Sequence, residues 1–136
     1  MFILLKRGGS LQLFDLHCDS IVNFRKENSD FLCEKTQFSL KELDKFRRLC
    51  QTMAVFIPDD VRGEEAVQYF RDHKEYLEML LRKQSEMAEL VCTPGDIERI
   101  TAEGRCAVIL AVESGAALAG SLDNVDYLAA NGVKMM

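Results

Sequence analysis

The sequence CAVILAVESG, residues 106–115, decides the fold class of this chain. Its first seven residues are all apolar, as in a parallel strand that is buried on both faces, so we predict a strand over residues 106–112. Glu113 follows immediately. A carboxylate at the carboxyl end of a buried strand is costly to desolvate unless a cation or hydrogen bonds compensate it. Glu113 is therefore either a metal ligand or a surface residue that is hydrogen-bonded to a helix N-terminus.

A second informative stretch, LQLFDLHCDS, occupies residues 11–20. We predict a strand over residues 11–17, whose alternation with period two places His17 and Asp19 on the same side. An imidazole nitrogen and a carboxylate oxygen that converge there can bind Zn²⁺ or another borderline divalent cation. The alternative is a histidine with a purely structural role. Cys18 should point to the opposite side, so we expect it to pack rather than to bind metal.

The rest of the chain alternates between strand and helix patterns. This alternation predicts an α/β fold of parallel strands with right-handed crossovers, in about three to four βα units. A complete eight-unit barrel needs ~250 residues, so we expect an incomplete (β/α)₈ barrel of the TIM type. The predicted helices span residues 20–27, 40–48 (with a Ser39–Glu42 capping box), 63–90, 94–104 and 122–130, and the further strands span 51–57 and 133–136.

Composition narrows the classes of partner and compartment. The chain has 136 residues and a net charge of −5 without a basic block, which argues against nucleic acid and anionic membranes as partners. The apolar run after Met1 is too short for a signal peptide. Five cysteines without a C-x-x-C pair favour a reducing compartment, and we expect a cytoplasmic protein. His73 falls on the apolar stripe of the long helix, and we assign it a structural role.

Several motifs follow one another in an order that resembles a known family. They are DLHCD at 15–19, QTMAVF at 51–56, the long helix, VILAVESG at 108–115, GSL at 120–122 and LAANGVKM at 128–135. Together they resemble the N-terminal part of the zinc-dependent membrane (renal) dipeptidase family, from about Leu13 to the last residue. Ser114 departs from the glycine that is usual there. Residues 1–10 do not resemble the family's start, so we divide the chain into an extension (1–10) and a partial dipeptidase barrel (11–136).

The resemblance implies a site with two zinc ions at the carboxyl ends of the barrel strands. His17 and Asp19 would bind the first zinc, and Glu113 would bridge both ions. The implied reaction is hydrolysis of dipeptides by a metal-bridging hydroxide, often with tolerance for a D-residue at the second position. The other two zinc histidines, and the residues that hold the substrate and move the proton, come from later strands in the family. The catalytic set is therefore not complete in this chain.

Two functional hypotheses follow. The first is a zinc metallopeptidase by ancestry, truncated and inactive alone. The second is a non-catalytic half-barrel that associates with itself or with a separate C-terminal half, because an uncovered inner layer (residues such as Val55, Ile109 and Ala111) and unpaired strand edges favour association. A different barrel-type metal-dependent hydrolase fits less well, because many of those have His-x-His where this chain has His17-x-Asp19.

Overall fold

The computed structural model of the protein describes residues 10–136, in which five strands alternate with four α-helices. Two short 3₁₀ turns, Leu43–Lys45 and Gly115–Leu118, complete the regular structure of this part of the chain. The predicted extension over residues 1–10 lies outside the described residues, except for Ser10. The elements are β1 (Leu11–Asp15), α1 (Ser20–Glu27), β2 (Phe46–Phe56), α2 (Glu64–Lys83), β3 (Ala88–Leu90), α3 (Pro94–Ala102), β4 (Cys106–Glu113), α4 (Asp123–Ala130) and β5 (Val133–Met135).

All strand pairs in the described sheet are parallel, which confirms the predicted α/β class. β4 lies at the centre and pairs along its length with β2, which in turn pairs with β1. The other edge of β4 carries β3 beside its first half and β5 beside its second half. Because the strands are parallel, their carboxyl ends meet at one edge of the sheet, to which we refer as the carboxyl edge.

The structure corrects two of the predicted helices. The helix expected over residues 40–48 does not form: Leu43–Lys45 is a single 3₁₀ turn, and residues 46–48 already belong to β2. The Ser39 hydroxyl accepts the backbone N–H of Lys41, 3.3 Å away, so it stabilises a turn and not a helix start. Pairing of Phe46 with Leu11 of β1 then overrides the local helix signal. The long helix ends at Lys83, and residues 88–90 form β3.

The two faces of the sheet are covered by different helices. Leu128 of α4 and residues of α1 and α2 pack against one face, in the cluster that contains Met53 and Leu110. Ile100 of α3 packs against the opposite face, on Cys50 and Ala107. After β2 the chain continues to β3, which lies beyond β4 in the sheet, and α3 then leads back to β4. Because this crossover runs back across the sheet and crossovers between parallel strands are right-handed, α3 lies on the opposite face from the other helices.

The burial of the residues concerned corrects the expectation of an uncovered inner layer, since Ile109 packs in the cluster with Ile100 of α3 and Val55 packs in the cluster on the other face. Ile109 is 6% exposed, Ala111 5% and Val55 0%, so the three residues named for that layer are buried. Four of the exposed apolar residues, Leu11, Leu13, Phe14 and Leu16, lie instead in or just after the edge strand β1. No helix within residues 10–136 is long and apolar enough to cross a membrane.

Candidate metal centre at the carboxyl edge

His17 and Asp19 lie in the connection between β1 and α1. β1 ends at Asp15, two residues before His17, so strand alternation does not place these side chains. The connection is shaped instead by two hydrogen bonds. The backbone N–H of His17 donates to Oδ1 of Asp15 (3.1 Å), and the backbone N–H of Ala54 in β2 donates to the carbonyl of Cys18 (2.8 Å). The predicted strand over residues 11–17 is therefore two residues too long, although both side chains reach the carboxyl edge.

Glu113 is the last residue of β4, where the buried strand emerges into solvent. Its Oε2 lies 2.8 Å from Nε2 of His17, and the same nitrogen lies 3.1 Å from Oδ1 of Asp19. One ligand atom from each of the three residues falls within 4.8 Å of the other two. The structure thus brings together all three residues that the sequence proposed, from the ends of β1 and β4.

The donor set and the separations fit a small divalent cation. One imidazole nitrogen and two carboxylate oxygens suit Zn²⁺ and similar borderline ions. Around one ion with bonds of ~2.0 Å, tetrahedral ligand atoms lie about 3.3 Å apart, close to the separations of His17 from Asp19 and Glu113. The three side chains are 40–53% exposed. Solvent can therefore reach a fourth position, as in catalytic metal sites and unlike closed structural ones.

The turn after Glu113 has an unusual backbone conformation. Ser114 has a φ of 119°, a region in which residues with a Cβ are strained. Its hydroxyl accepts the backbone N–H of Ala116 (3.2 Å), which begins the 3₁₀ turn Gly115–Leu118. The chain therefore turns sharply immediately after the carboxylate, and Glu113 remains at the end of the strand.

Two residues that were set aside as ligands have structural partners. Cys18 is buried, its Sγ lies 2.8 Å from the hydroxyl of Ser20, and burial raises the pKa of the thiol. A thiol that stays protonated is a poor metal ligand. His73 is also buried, with Nδ1 donating to the carbonyl of Tyr69 at 2.7 Å. Its burial and this hydrogen bond agree with the structural role assigned to it.

Two residues near the site were missed by the sequence analysis. Asp15 orients the His17 backbone, and the available signal was its spacing: an aspartate that accepts the N–H two residues later is a common turn motif. Phe56 pairs in register with Glu113 and is 40% exposed beside it. No pattern in the sequence distinguishes an exposed phenylalanine at the end of β2 from a buried one.

The fold and the site define a class of protein. A histidine and two carboxylates at the carboxyl edge of parallel strands, with helices between the strands, form the arrangement of a barrel-type metal-dependent hydrolase. A model of the membrane dipeptidase family, peptidase family M19, matches residues 9–136. The chain belongs to this family. No curated protein sequence matches the chain significantly.

Solved structures show the same fold. A metallo peptidase from Rhodobacter sphaeroides, solved with a phosphinate mimic of the dipeptide L-Ala-D-Ala, has a TM-score of 0.77 at 14% identity over 92% of this chain and 44% of its own. A dipeptidase AC of family M19 has a TM-score of 0.76 at 16% identity, covering 93% of this chain and 42% of its own. An amidohydrolase from Pseudomonas aeruginosa has a TM-score of 0.55 at 16% identity, covering 65% and 25%.

These comparisons confirm the predicted family and the predicted fold class. The chain is a mixed α/β structure with a parallel sheet, similar to part of the TIM-barrel-like dipeptidases of family M19. It spans less than half the length of each of the solved structures to which it is similar. Membership makes the chain a metallopeptidase by family.

Proposed function

We propose that this chain supplies one part of the active site of a zinc-dependent dipeptidase. His17 and Asp19 would hold one zinc ion, and Glu113 would bridge it to a second. The observation that carries the proposal is the convergence of these three ligand atoms within 4.8 Å at the carboxyl edge. Membership of the membrane dipeptidase family supports dipeptides as the substrates, the donor set of one imidazole and two carboxylates suits zinc, and the L-Ala-D-Ala mimic in the Rhodobacter sphaeroides structure supports a D-residue at the second position.

The chain's own residues would fix the geometry of the metal. When bound, zinc lowers the pKa of a coordinated water towards neutrality and polarises the scissile carbonyl. Asp15 orients the connection that carries His17, and the rigid end of β4 orients Glu113. The exposed side of the cluster leaves room for a water and a substrate, while Phe56 provides an apolar wall beside Glu113.

We further propose that the 136-residue chain does not hydrolyse dipeptides alone. It contains two histidines, and the one outside the cluster, His73, is buried in α2. No other histidine is present to hold a second zinc. Positioning of the reactants contributes ~7–11 kcal/mol to catalysis, so we expect no turnover at the ~1–10³ s⁻¹ that is typical of enzymes. Measured turnover of a dipeptide at such rates by the purified chain with added Zn²⁺ would disprove this.

The metal site is tested by titrating the purified chain with Zn²⁺ alone and measuring the heat of binding by calorimetry. We expect one ion per chain, and we expect His17→Ala and Glu113→Gln each to weaken binding by at least tenfold. Glu86→Gln is the matched control, because Glu86 is also an exposed glutamate but lies at the opposite end of the fold from the cluster, after α2. Equal affinities of the parent chain and the His17 variant would rule out the site.

A second candidate function is association without catalysis, as a half-barrel that pairs with itself or with a separate C-terminal half. The observation that favours it is the exposure of Leu11, Leu13 and Phe14 in β1, an edge strand of the described sheet. We also propose a cytoplasmic location. The burial of Cys50 and Cys106 as unpaired thiols is typical of proteins from reducing compartments.

A further inference from the structure

Asp19 belongs to the candidate metal cluster and is also the residue that immediately precedes α1. Aspartate is a preferred residue at this N-cap position, where its carboxylate usually accepts a backbone N–H from the second or third residue of the helix. In this chain the Asp19 side chain accepts no backbone N–H of α1 (Ser20–Glu27). Its Oδ1 lies instead 3.1 Å from Nε2 of His17. The carboxylate therefore serves the cluster and not the helix.

The thiol of Cys18 provides the side-chain acceptor at the start of α1. Its Sγ accepts the backbone N–H of Ser20, the first residue of the helix, at 3.4 Å, and its S–H donates to the Ser20 hydroxyl oxygen at 2.8 Å. Ser20 is 0% exposed and Cys18 is 6% exposed, so both contacts are shielded from solvent. A buried N–H at the start of a helix needs an acceptor. Sulfur supplies it here.

The backbone of the connection agrees with this division of roles. Asp19 has a φ of −87° and a ψ of 9°, outside the extended region that is typical of an N-cap residue whose side chain bonds to its own helix. The carbonyl of Cys18 accepts the backbone N–H of Ala54 in β2 at 2.8 Å. Cys18 is thus bonded both to the sheet and to the first residue of α1, and its two neighbours in sequence, His17 and Asp19, are the cluster residues.

We propose that Cys18 is a positioning residue for the metal cluster. By replacing Asp19 as the side-chain acceptor at the start of α1, its sulfur leaves the Asp19 carboxylate free to bind the cation. Without the sulfur, the N–H groups of α1 and the cation would compete for the same carboxylate. The exchange of acceptors concerns the chain alone, whereas its effect on the cation rests on the proposed function.

A double-mutant cycle between positions 18 and 19 tests the exchange of acceptors without metal. In the parent chain, Asp19→Ala removes no acceptor from α1. In the Cys18→Ala background the Asp19 carboxylate becomes the acceptor, so Asp19→Ala should raise the equilibrium constant for unfolding about fivefold more than in the parent chain, which is the typical effect of a lost N-cap. Urea denaturation of the four proteins in the presence of a chelator measures this. Additive effects of the two substitutions would overturn the proposal.

Calorimetric titration with Zn²⁺ tests the consequence for the cluster. Cys18→Ala should raise the dissociation constant of Zn²⁺ by at least ~10-fold, as is typical when a group that orients a metal ligand is lost. Cys18→Ser should remain within about threefold of the parent chain, because a serine hydroxyl can accept the N–H of the residue two positions later. Equal affinities of the parent chain and Cys18→Ala, or a Cys18→Ser variant that binds as weakly as Cys18→Ala, would each overturn the proposal.

Cys50→Ala is the matched control. Cys50 is also a buried free cysteine, but it lies four residues before Ala54 in β2, roughly 13 Å along the strand. Its substitution should leave the affinity for Zn²⁺ unchanged and should be additive with Asp19→Ala. Circular dichroism checks that each variant folds, and Cys18→Val, which fills the space without an acceptor, replaces Cys18→Ala if that variant does not fold. A parent chain that does not bind Zn²⁺ would contradict the proposed function, while the double-mutant cycle would still decide the exchange of acceptors.

Discussion

β4 and β1 both run to the carboxyl edge and each leads to part of the site, yet their environments are opposite. The seven residues of β4 before Glu113 are all buried, with helices on both faces. In β1, residues 11–14 are all exposed, although three of these four residues are apolar. Apolar sequence alone therefore does not make a core strand. What distinguishes the two strands is that the described residues place helices over both faces of β4 but do not cover residues 11–14 of β1.

The site combines a rigid element, the end of β4, with a weakly supported one, the end of β1. Glu113 is held by a strand with neighbours on both sides, β2 on one and β3 and β5 on the other. His17 is held by a strand that, within residues 10–136, pairs with β2 alone, and by the hydrogen bonds of Asp15 and Cys18. Elements with few buried contacts open locally at low cost. The three-ligand cluster is thus only as rigid as its β1 side.

The largest expected effect is the difference in the free energy of unfolding between a leucine-to-alanine substitution in β4 and one in β1. Leu110→Ala in β4 should lower the free energy of unfolding by about 2–5 kcal/mol, because it leaves a cavity in the packed core. Leu13→Ala in β1 should cost less than about 1 kcal/mol in a dilute solution of the chain, because Leu13 is 44% exposed. Urea denaturation followed by circular dichroism measures both.

Chain concentration sharpens this comparison. If a second copy covers β1, the cost of Leu13→Ala should rise as the chain is concentrated, while the cost of Leu110→Ala should not change. Leu32→Ala provides the control, because Leu32 is exposed to a similar degree but lies outside the sheet, in the connection after α1. Similar costs for the two leucines in dilute solution would show that β1 is packed by something within the chain.

A smaller effect is expected at the turn after β4. Replacing Ser114 by Gly or by Ala removes the hydroxyl that accepts the Ala116 N–H in both cases. Only glycine relieves the strain of the positive φ of 119°. Ser114→Gly should therefore be more stable than Ser114→Ala by about 1–2 kcal/mol, as measured by thermal denaturation. Equal stabilities would mean that the turn relaxes to another conformation when the hydroxyl is lost.

The same two strands show how far sequence could predict this structure. β4 was predicted almost to the residue, because a run of seven apolar residues before a carboxylate is typical of a buried parallel strand. The meeting of Glu113 with His17 followed from parallel carboxyl ends. The reason given for His17 and Asp19 was wrong in detail, since the strand ends at Asp15 and hydrogen bonds of the connection place them.

Other features depended on contacts that no local pattern encodes. β3 has three residues, too few to show a period, and it forms because Ala88 and Leu90 pair with β4. The first residues of β2 have a helix-like sequence that pairing with β1 overrides. The position of α3 on the second face followed from the order of the strands in space, which the order in sequence does not reveal.

The smallest expected effect concerns the helix layer, which covers β4 and leaves β1 exposed. His73 of α2 is 2% exposed, and burial, more than the nearby charge of Arg25, lowers its pKa below the ordinary 6.5. The hydrogen bond to the Tyr69 carbonyl and the charge of Asp72 oppose this shift only in part. As pH falls through 6.5, the unfolded chain therefore takes up the proton before the folded chain does. The contribution of neutral His73 to stability is complete above that pH and is lost progressively below it.

The measurement is the difference in free energy of unfolding between the parent chain and His73→Gln at pH 7.5 and at pH 5.5. Glutamine can still donate a hydrogen bond but does not titrate, and the titration of every carboxylate is common to the two proteins and cancels. We expect the parent chain to lose stability relative to His73→Gln at the lower pH. A difference between the parent and His73→Gln that does not change with pH would show that His73 can be protonated in the folded chain at no cost, and that the helix layer over β4 is as open to water as β1.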